Sequence, residues 1–177
     1  MQLASTQTLP VSQVQAWEAL NDVALLQAAI PGCESIVATA DNQFEVHVTA
    51  AVGPVKARFK GKLQIENPRP PESYTLRFEG QGGAAGHGKG HADIRLESVG
   101  TRETVLHYSA HASVGGKLAQ IGSRLVDMAA QKMATEFFTS FNTALQERYG
   151  VAAEAPAVAP SGPWARLLAW LRSLFGR

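Results

Sequence analysis

Residues 115–149, GGKLAQIGSRLVDMAAQKMATEFFTSFNTALQERY, form the longest stretch of helical periodicity in the chain, and no proline interrupts it. Its apolar positions run Leu118, Ile121, Leu125, Ala129, Met133, Phe137, Phe141 and Leu145. From Leu125 on each step is i+4, which turns about 40° round a helix of 3.6 residues per turn. A stripe that winds in this way predicts a helix lying across a curved, twisted surface. Gly115-Gly116 lets the chain turn into the helix, and Gly150 stops it. About 35 residues would span roughly 50 Å. That is longer than a small domain is wide, so a bend near Gly122 or a frayed start is expected.

The residues before the helix supply the surface. Leu3 to Leu9 reads as a short strand ended by Pro10. Ser12 to Leu20 reads as a small helix with Val14, Trp17 and Leu20 on one face, and Asp22 caps a second one over residues 23–30. Strands follow. Phe44, Val46, Val48 and Ala50 alternate with polar neighbours. After Gly53-Pro54, the inward set Val55, Ala57, Phe59, Gly61, Leu63, Ile65 alternates with Lys56, Arg58, Lys60, Lys62, Gln64, Glu66. Tyr74, Leu76 and Phe78, then Ala92, Ile94 and Leu96, then Thr104, Leu106, Tyr108 and Ala110 continue the pattern. A register with Asp93 opposite His107 keeps the apolar sets of the last hairpin on one face. The expected fold is α+β: six to seven antiparallel strands in a curved sheet round one long helix, with an apolar cavity between them, a solid core being the alternative that the pattern alone leaves open. Phe59, Phe78, Leu125, Met133, Phe137 and Phe141 are expected to line it, at the size usual for small-ligand sites, about 300–1,000 Å³.

At 177 residues the chain reads as one domain with an appendage. Its formal net charge of +1 provides no field for nucleic acid, so none is expected as a partner. One cysteine excludes an internal disulfide. The opening MQLASTQTLP has no basic and apolar run of the signal-peptide kind, and no apolar run is long enough to span a bilayer. The domain is assigned to residues 1–149.

Residues 150–163, GVAAEAPAVAPSGP, change composition and read as an Ala/Pro-rich linker. Residues 164–177 then place Trp164, Leu167, Leu168, Leu171, Leu174 and Phe175 on one helical face. Arg166, Ser173 and Arg177 lie opposite, with Arg172 and Trp170 on the flanks. About 14 residues are too few to cross a bilayer. They fit a helix in the headgroup plane, with arginines toward anionic lipid. Docking on a partner protein or on the chain's own domain is the alternative.

Several other patterns carry less. Gly83 through Lys89 fits a phosphate loop, but Gly90 stands where Ser or Thr belongs and a strand pattern follows, so a bend between strands is expected. His87, His91, His107 and His111 do not chelate in pairs along one strand, where i and i+4 lie about 13 Å apart. His91 and His107 fall on opposite faces in the register above, and no metal site is expected. Cys33 reads as a buried small hydrophobe. Lys56, Arg58, Lys60 and Lys62 form an outward basic stripe that Glu45 and Glu79 can neutralise.

Four motifs point to a family: Leu20-Asn21-Asp22 with Ile30-Pro31-Gly32-Cys33; Val52-Gly53-Pro54-Val55 with Phe59-Lys60-Gly61; the glycine cluster between Gly80 and Gly90; and VGGKLAQIGSRL from Val114 to Leu125. Over roughly residues 1–148 the chain resembles the CoxG family of carbon monoxide dehydrogenase subunits, within the START-like (SRPBCC) helix-grip superfamily. The resemblance implies a curved sheet gripping a long helix over a hydrophobic cavity, with no catalytic residues. It implies an accessory protein that brings a molybdenum hydroxylase of the CO dehydrogenase or xanthine dehydrogenase type to the inner face of the cytoplasmic membrane. A quinone or other apolar lipid is the implied ligand, with no intrinsic cofactor. A polyketide-cyclase-like enzyme of the same superfamily, and an assembly chaperone without a ligand, are the alternatives. Against the cyclase, the inward set contains no Asp, Glu or His.

Overall fold

The computed structural model describes residues 1–150. Strand β1 (Gln2–Leu9) leads into two short helices, α1 (Gln13–Leu20) and α2 (Val23–Ala29). Both helices start where the sequence offers a cap. Ser12 Oγ accepts from the Gln15 amide at 3.3 Å while the Gln15 side chain accepts from the Ser12 amide at 3.1 Å, and Asp22 Oδ1 accepts from the Leu25 amide at 3.0 Å. These bonds satisfy amides that have no partner within the helix.

Six strands follow: β2 (Cys33–Ala40), β3 (Gln43–Val52), β4 (Val55–Arg69), β5 (Ser73–Gln81), β6 (His87–Gly100) and β7 (Glu103–Gly115). All pairs are antiparallel, in the order β1-β7-β6-β5-β4-β3-β2. The first strand of the chain therefore pairs with the last. The β4 alternation holds: its apolar residues are half-buried and Lys56, Arg58, Lys60 and Lys62 are exposed. Glutamates on β2, β3 and β5 pair with three of the four, Arg58 lying 2.6 Å from Glu34, Lys60 3.1 Å from Glu45 and Lys62 3.8 Å from Glu79.

The long helix is bent where expected. A first turn, α3 (Lys117–Gln120), stops at Gly122 with φ +94°, and α4 (Ser123–Tyr149) continues for 27 residues. Gly150 ends α4 in an extended conformation, not a left-handed one. The second half of α4 carries the main core, where Phe138, Phe141 and Leu145 pack with Leu9, Leu20, Leu25, Leu96 and Leu106. Thr104, fully buried, donates to the Val11 carbonyl at 2.9 Å and ties the turn after β1 to β7.

The glycine cluster makes a bend. Gly83–Ala85 form a single 3-10 turn between β5 and β6, and β6 starts at His87, so no helix follows the glycines. Gly86, at φ +111°, lies so close to Gly115 and Gly116 that a Cβ there would meet the Gly115 carbonyl oxygen at 2.1 Å. The bend is thus fitted to the corner where β7 turns into α3.

Two expectations about the last hairpin need correction. Asp93 faces Ser109, and His107 faces Arg95. The observed pairing lies two residues from the expected one, which keeps every side chain on its face, and a one-residue irregularity falls between Ser98 and Gly100. Consequently His107 binds Glu97 at 2.9 Å, while Asp93 accepts from Thr75 at 2.7 Å. His91 and His107 do not fall on opposite faces: His91 faces His111 across the strands, and their rings stack at 5.3 Å on the outward face that His107 shares.

Candidate apolar ligand site

An apolar cavity of about 220 Å³ lies between the inner face of the sheet and the helices. Its floor is a patch of central strands: Leu63 and Ile65 of β4, Tyr74 and Leu76 of β5, Ala92 and Ile94 of β6, Leu106 and Tyr108 of β7. Its roof is Leu20 of α1, Val23 and Leu26 of α2, Ile30, and Phe137 and Phe138 of α4. The alternation along each strand brings these residues to one face. The caps at Ser12 and Asp22 fix where the two short helices begin and so hold the roof over the floor. An apolar cavity of about 150 Å³ can hold a benzene ring. This one has room for a ring somewhat larger, and falls below the expected 300–1,000 Å³.

Aromatic contacts shape one wall. Phe137 stacks on Phe141 at 5.4 Å and meets Phe138 edge-on at 5.0 Å, and Phe138 stacks on Tyr108 at 5.4 Å. Trp17 meets Tyr74 edge-on at 5.5 Å. Burial pushes the pKa of the Tyr74 hydroxyl above the usual phenol range, so it stays protonated and is a hydrogen-bond donor. Among the described residues no carboxylate, histidine or lysine lines the cavity.

Of the six residues expected at the site, only Phe137 lines it. Phe141 is fully buried but packs within the core beside the cavity. The Phe59 ring covers Gly82, and the Phe78 ring lies against Gly90, so both occupy space left by an absent side chain. Met133 is half-buried, and Leu125 is 39% exposed beside Gly53 in the β3–β4 turn. These residues belong to the other end of the sheet, under the first half of α4. The cavity lies instead beneath α2. Its Leu26 and the following Ile30 are legible in the sequence as apolar helix positions, but nothing local marks them as cavity residues. The expected membrane residues Trp164, Arg166, Leu167, Leu168, Trp170, Leu171, Arg172, Leu174, Phe175 and Arg177 lie outside the described residues.

A larger depression of about 960 Å³ occupies the outer face of the sheet. Lys62, Arg77, Glu79, Lys89, His91 and His111 surround it. It is open and charged, and several of its groups pair with one another, as Lys62 does with Glu79. The cavity is the better ligand site because it is less open than the depression and its lining is apolar. Among the described residues no three His, Cys, Asp or Glu side chains come together as a metal site. Cys33 is half-buried, not fully buried, and desolvation raises its pKa, which makes it a poor nucleophile.

The sequence profile of the carbon monoxide dehydrogenase CoxG subunit family matches residues 7–146. The chain belongs to the CoxG family. No curated protein sequence matches it. Among solved structures, a conserved protein from Geobacillus kaustophilus superposes with a TM-score of 0.79 at 24% identity, covering 83% of this chain and 96% of that one. The Zhui aromatase/cyclase from a Streptomyces species superposes at 0.64 with 12% identity, covering 86% and 98%. A START superfamily protein from Mycobacterium smegmatis gives 0.64 and 12%, covering 83% and 98%. At these identities the likeness establishes the START-like helix-grip fold, which this CoxG family member shares, and leaves chemistry to the site itself.

Proposed function

We propose that this chain is a non-catalytic, ligand-carrying accessory protein that links a molybdenum hydroxylase of the CO dehydrogenase type to the cytoplasmic membrane. The observation that carries the reading is the apolar cavity under α2, in a chain of a family of accessory subunits. Its ligand is an apolar ring compound, and a quinone fits a protein that serves a redox enzyme at a membrane. The amphipathic pattern of residues 164–177, joined by an Ala/Pro-rich linker, supports reversible attachment to the membrane's inner face. The cyclase alternative has less support, because the cavity lining lacks a carboxylate or histidine to act as acid or base.

The test has two arms. Organic extracts of the purified full chain, analysed by mass spectrometry, should contain a stoichiometric apolar ring compound; extracts free of any such compound, together with no uptake of added quinone, count against the carrier role. Vesicle co-sedimentation should fall to background when the chain is ended at Gly150 and when Leu171 is replaced by Glu. If the shortened chain sediments as well as the full one, the tail is no membrane anchor.

A further inference from the structure

We propose that His91 and His111 form a two-imidazole site for a divalent transition metal, Zn²⁺ being the ion its geometry fits, on the outer face of the sheet and separate from the apolar cavity. Histidines four apart along one strand are too distant to share an ion, but the fold sets these two on neighbouring strands. His91 of β6 lies directly opposite His111 of β7, an arrangement in which Cβ atoms stand about 4.5–5.5 Å apart. The ring centroids are 5.3 Å apart and the ring planes differ by 26°. Zn–N bonds of about 2.0–2.1 Å at a tetrahedral angle put two imidazole centroids about 5 Å apart. The rings already have the separation of a bound pair. Aiming one nitrogen of each at a common point asks for rotation of the side chains and not for movement of the strands.

The other histidines are engaged elsewhere. Among the described residues the histidine side-chain hydrogen bonds are those of His47 with Ser35 at 3.2 Å and of His107 with Glu97 at 2.9 Å. The His87 ring covers Gly115. His91 and His111 thus each keep an unused ring-nitrogen lone pair when neutral, the form that binds a metal. Two cations stand beside the pair, and each has a carboxylate close by. Arg77, across from His91 on β5, is held by both oxygens of Glu66 at 2.8 and 2.7 Å, and Lys89 lies opposite Glu79. These carboxylates reduce the repulsion that a dication meets. Both histidines border the open depression of the outer face, so an ion reaches them from solvent. Two protein ligands leave two tetrahedral positions to water or to a side chain of another molecule, which makes the site exchangeable and weaker than a closed structural zinc site.

The experiment uses the full chain without a polyhistidine tag, zinc chloride as the probe, and calorimetry. The wild-type chain should take up Zn²⁺. His91→Ala and His111→Ala should each weaken uptake roughly tenfold or more, since losing a ligand costs at least as much as losing a group that supports one. His87→Ala and His107→Ala should leave it unchanged. Thermal melts check that the variants fold. If they do not, imidazole nitrogen NMR of the wild-type chain decides, because the His91 and His111 ring signals should shift together on adding Zn²⁺ while those of His47, His87 and His107 stay in place. No uptake of Zn²⁺ by the wild-type chain overturns the proposal. So does uptake that survives loss of both imidazoles, or ring signals that move at other histidines and not at these two.

Discussion

The carboxylate of Asp22 accepts a hydrogen bond from the guanidinium of Arg148, joining the start of α2 to the last turn of α4 across 126 residues of sequence. The same carboxylate caps α2 through the Leu25 amide. One side chain thus sets both the helix that roofs the cavity and the end of the helix that the sheet grips. Arg148, ahead of the Leu25 amide, lowers the Asp22 pKa. A depressed carboxylate contributes stability that is present above its unfolded pKa, about 3.9, and is lost as the pH falls through the lower folded value. Chemical denaturation of wild type and Asp22→Asn should therefore differ by a constant amount above about pH 5 and converge below the ordinary carboxylate range. Asp22→Ala should cost about 1 kcal/mol more through loss of the cap. A difference that grows on acidification would contradict this account.

Ala92 lines the cavity floor between larger neighbours. Ala92→Leu adds three carbons into the void, so it should block uptake of added quinone while changing the melting temperature little, because an existing space accepts the volume. Calorimetry and a melting curve on the same sample check both halves. Unchanged uptake would place the ligand elsewhere.

Gly90 and Gly83 should respond very differently to the same change. A Cβ at Gly90 would stand 2.1 Å from the His111 carbonyl oxygen and 2.8 Å from the Phe78 ring, so Gly90→Ala should separate β6 from β7 and fail to fold stably. At Gly83, with φ +57°, a Cβ meets nothing within 4 Å, so Gly83→Ala carries only backbone strain of about 1 kcal/mol. Denaturant midpoints of the two variants give the comparison.

Two α4 residues from the same apparent stripe should also separate. Phe141 is fully buried, and Phe141→Ala should cost about 3–5 kcal/mol. Leu125 is 39% exposed, and Leu125→Ala should cost roughly 1 kcal/mol or less. Equal losses would mean that the first half of α4 packs as tightly as the second.

That contrast also explains where the sequence is readable. The caps at Ser12 and Asp22, the β4 alternation and the bend at Gly122 depend on neighbours a few residues apart, and all are legible. The inward stripe of α4 is not. A walk of i+4 steps drifts about 40° per step, so Leu125, Ala129 and Met133 leave the face that carries Phe138, Phe141 and Leu145. The buried residues of α4 are Val126, Phe138, Phe141 and Leu145, none of them reached from Leu125 by steps of four except Phe141 and Leu145. Asp127, next to buried Val126, is half-buried with one carboxylate oxygen buried and unpartnered among the described residues, although it does not line the cavity. Strand β2 escapes a reading by pattern because CESIVATA buries only Ile36 and leaves Val37 58% exposed, which erases the alternation. The cavity's position depends on how α2 crosses the sheet, a long-range fact that no local pattern carries.

The pairing of β1 with β7 sets the order in which this protein can be completed. Residues 2–9 leave the ribosome before their partners, residues 104–111, which lie on the order of 100 positions later. Until β7 is synthesised the first strand has no neighbour, and its unpaired backbone is open to other chains. Leu9, Val11 and Thr104 reach full burial only at that last step. The sheet therefore closes only once residues 103–115 have been made, and a nascent chain stalled before residue 103 lacks the Leu106 and Tyr108 part of the cavity floor.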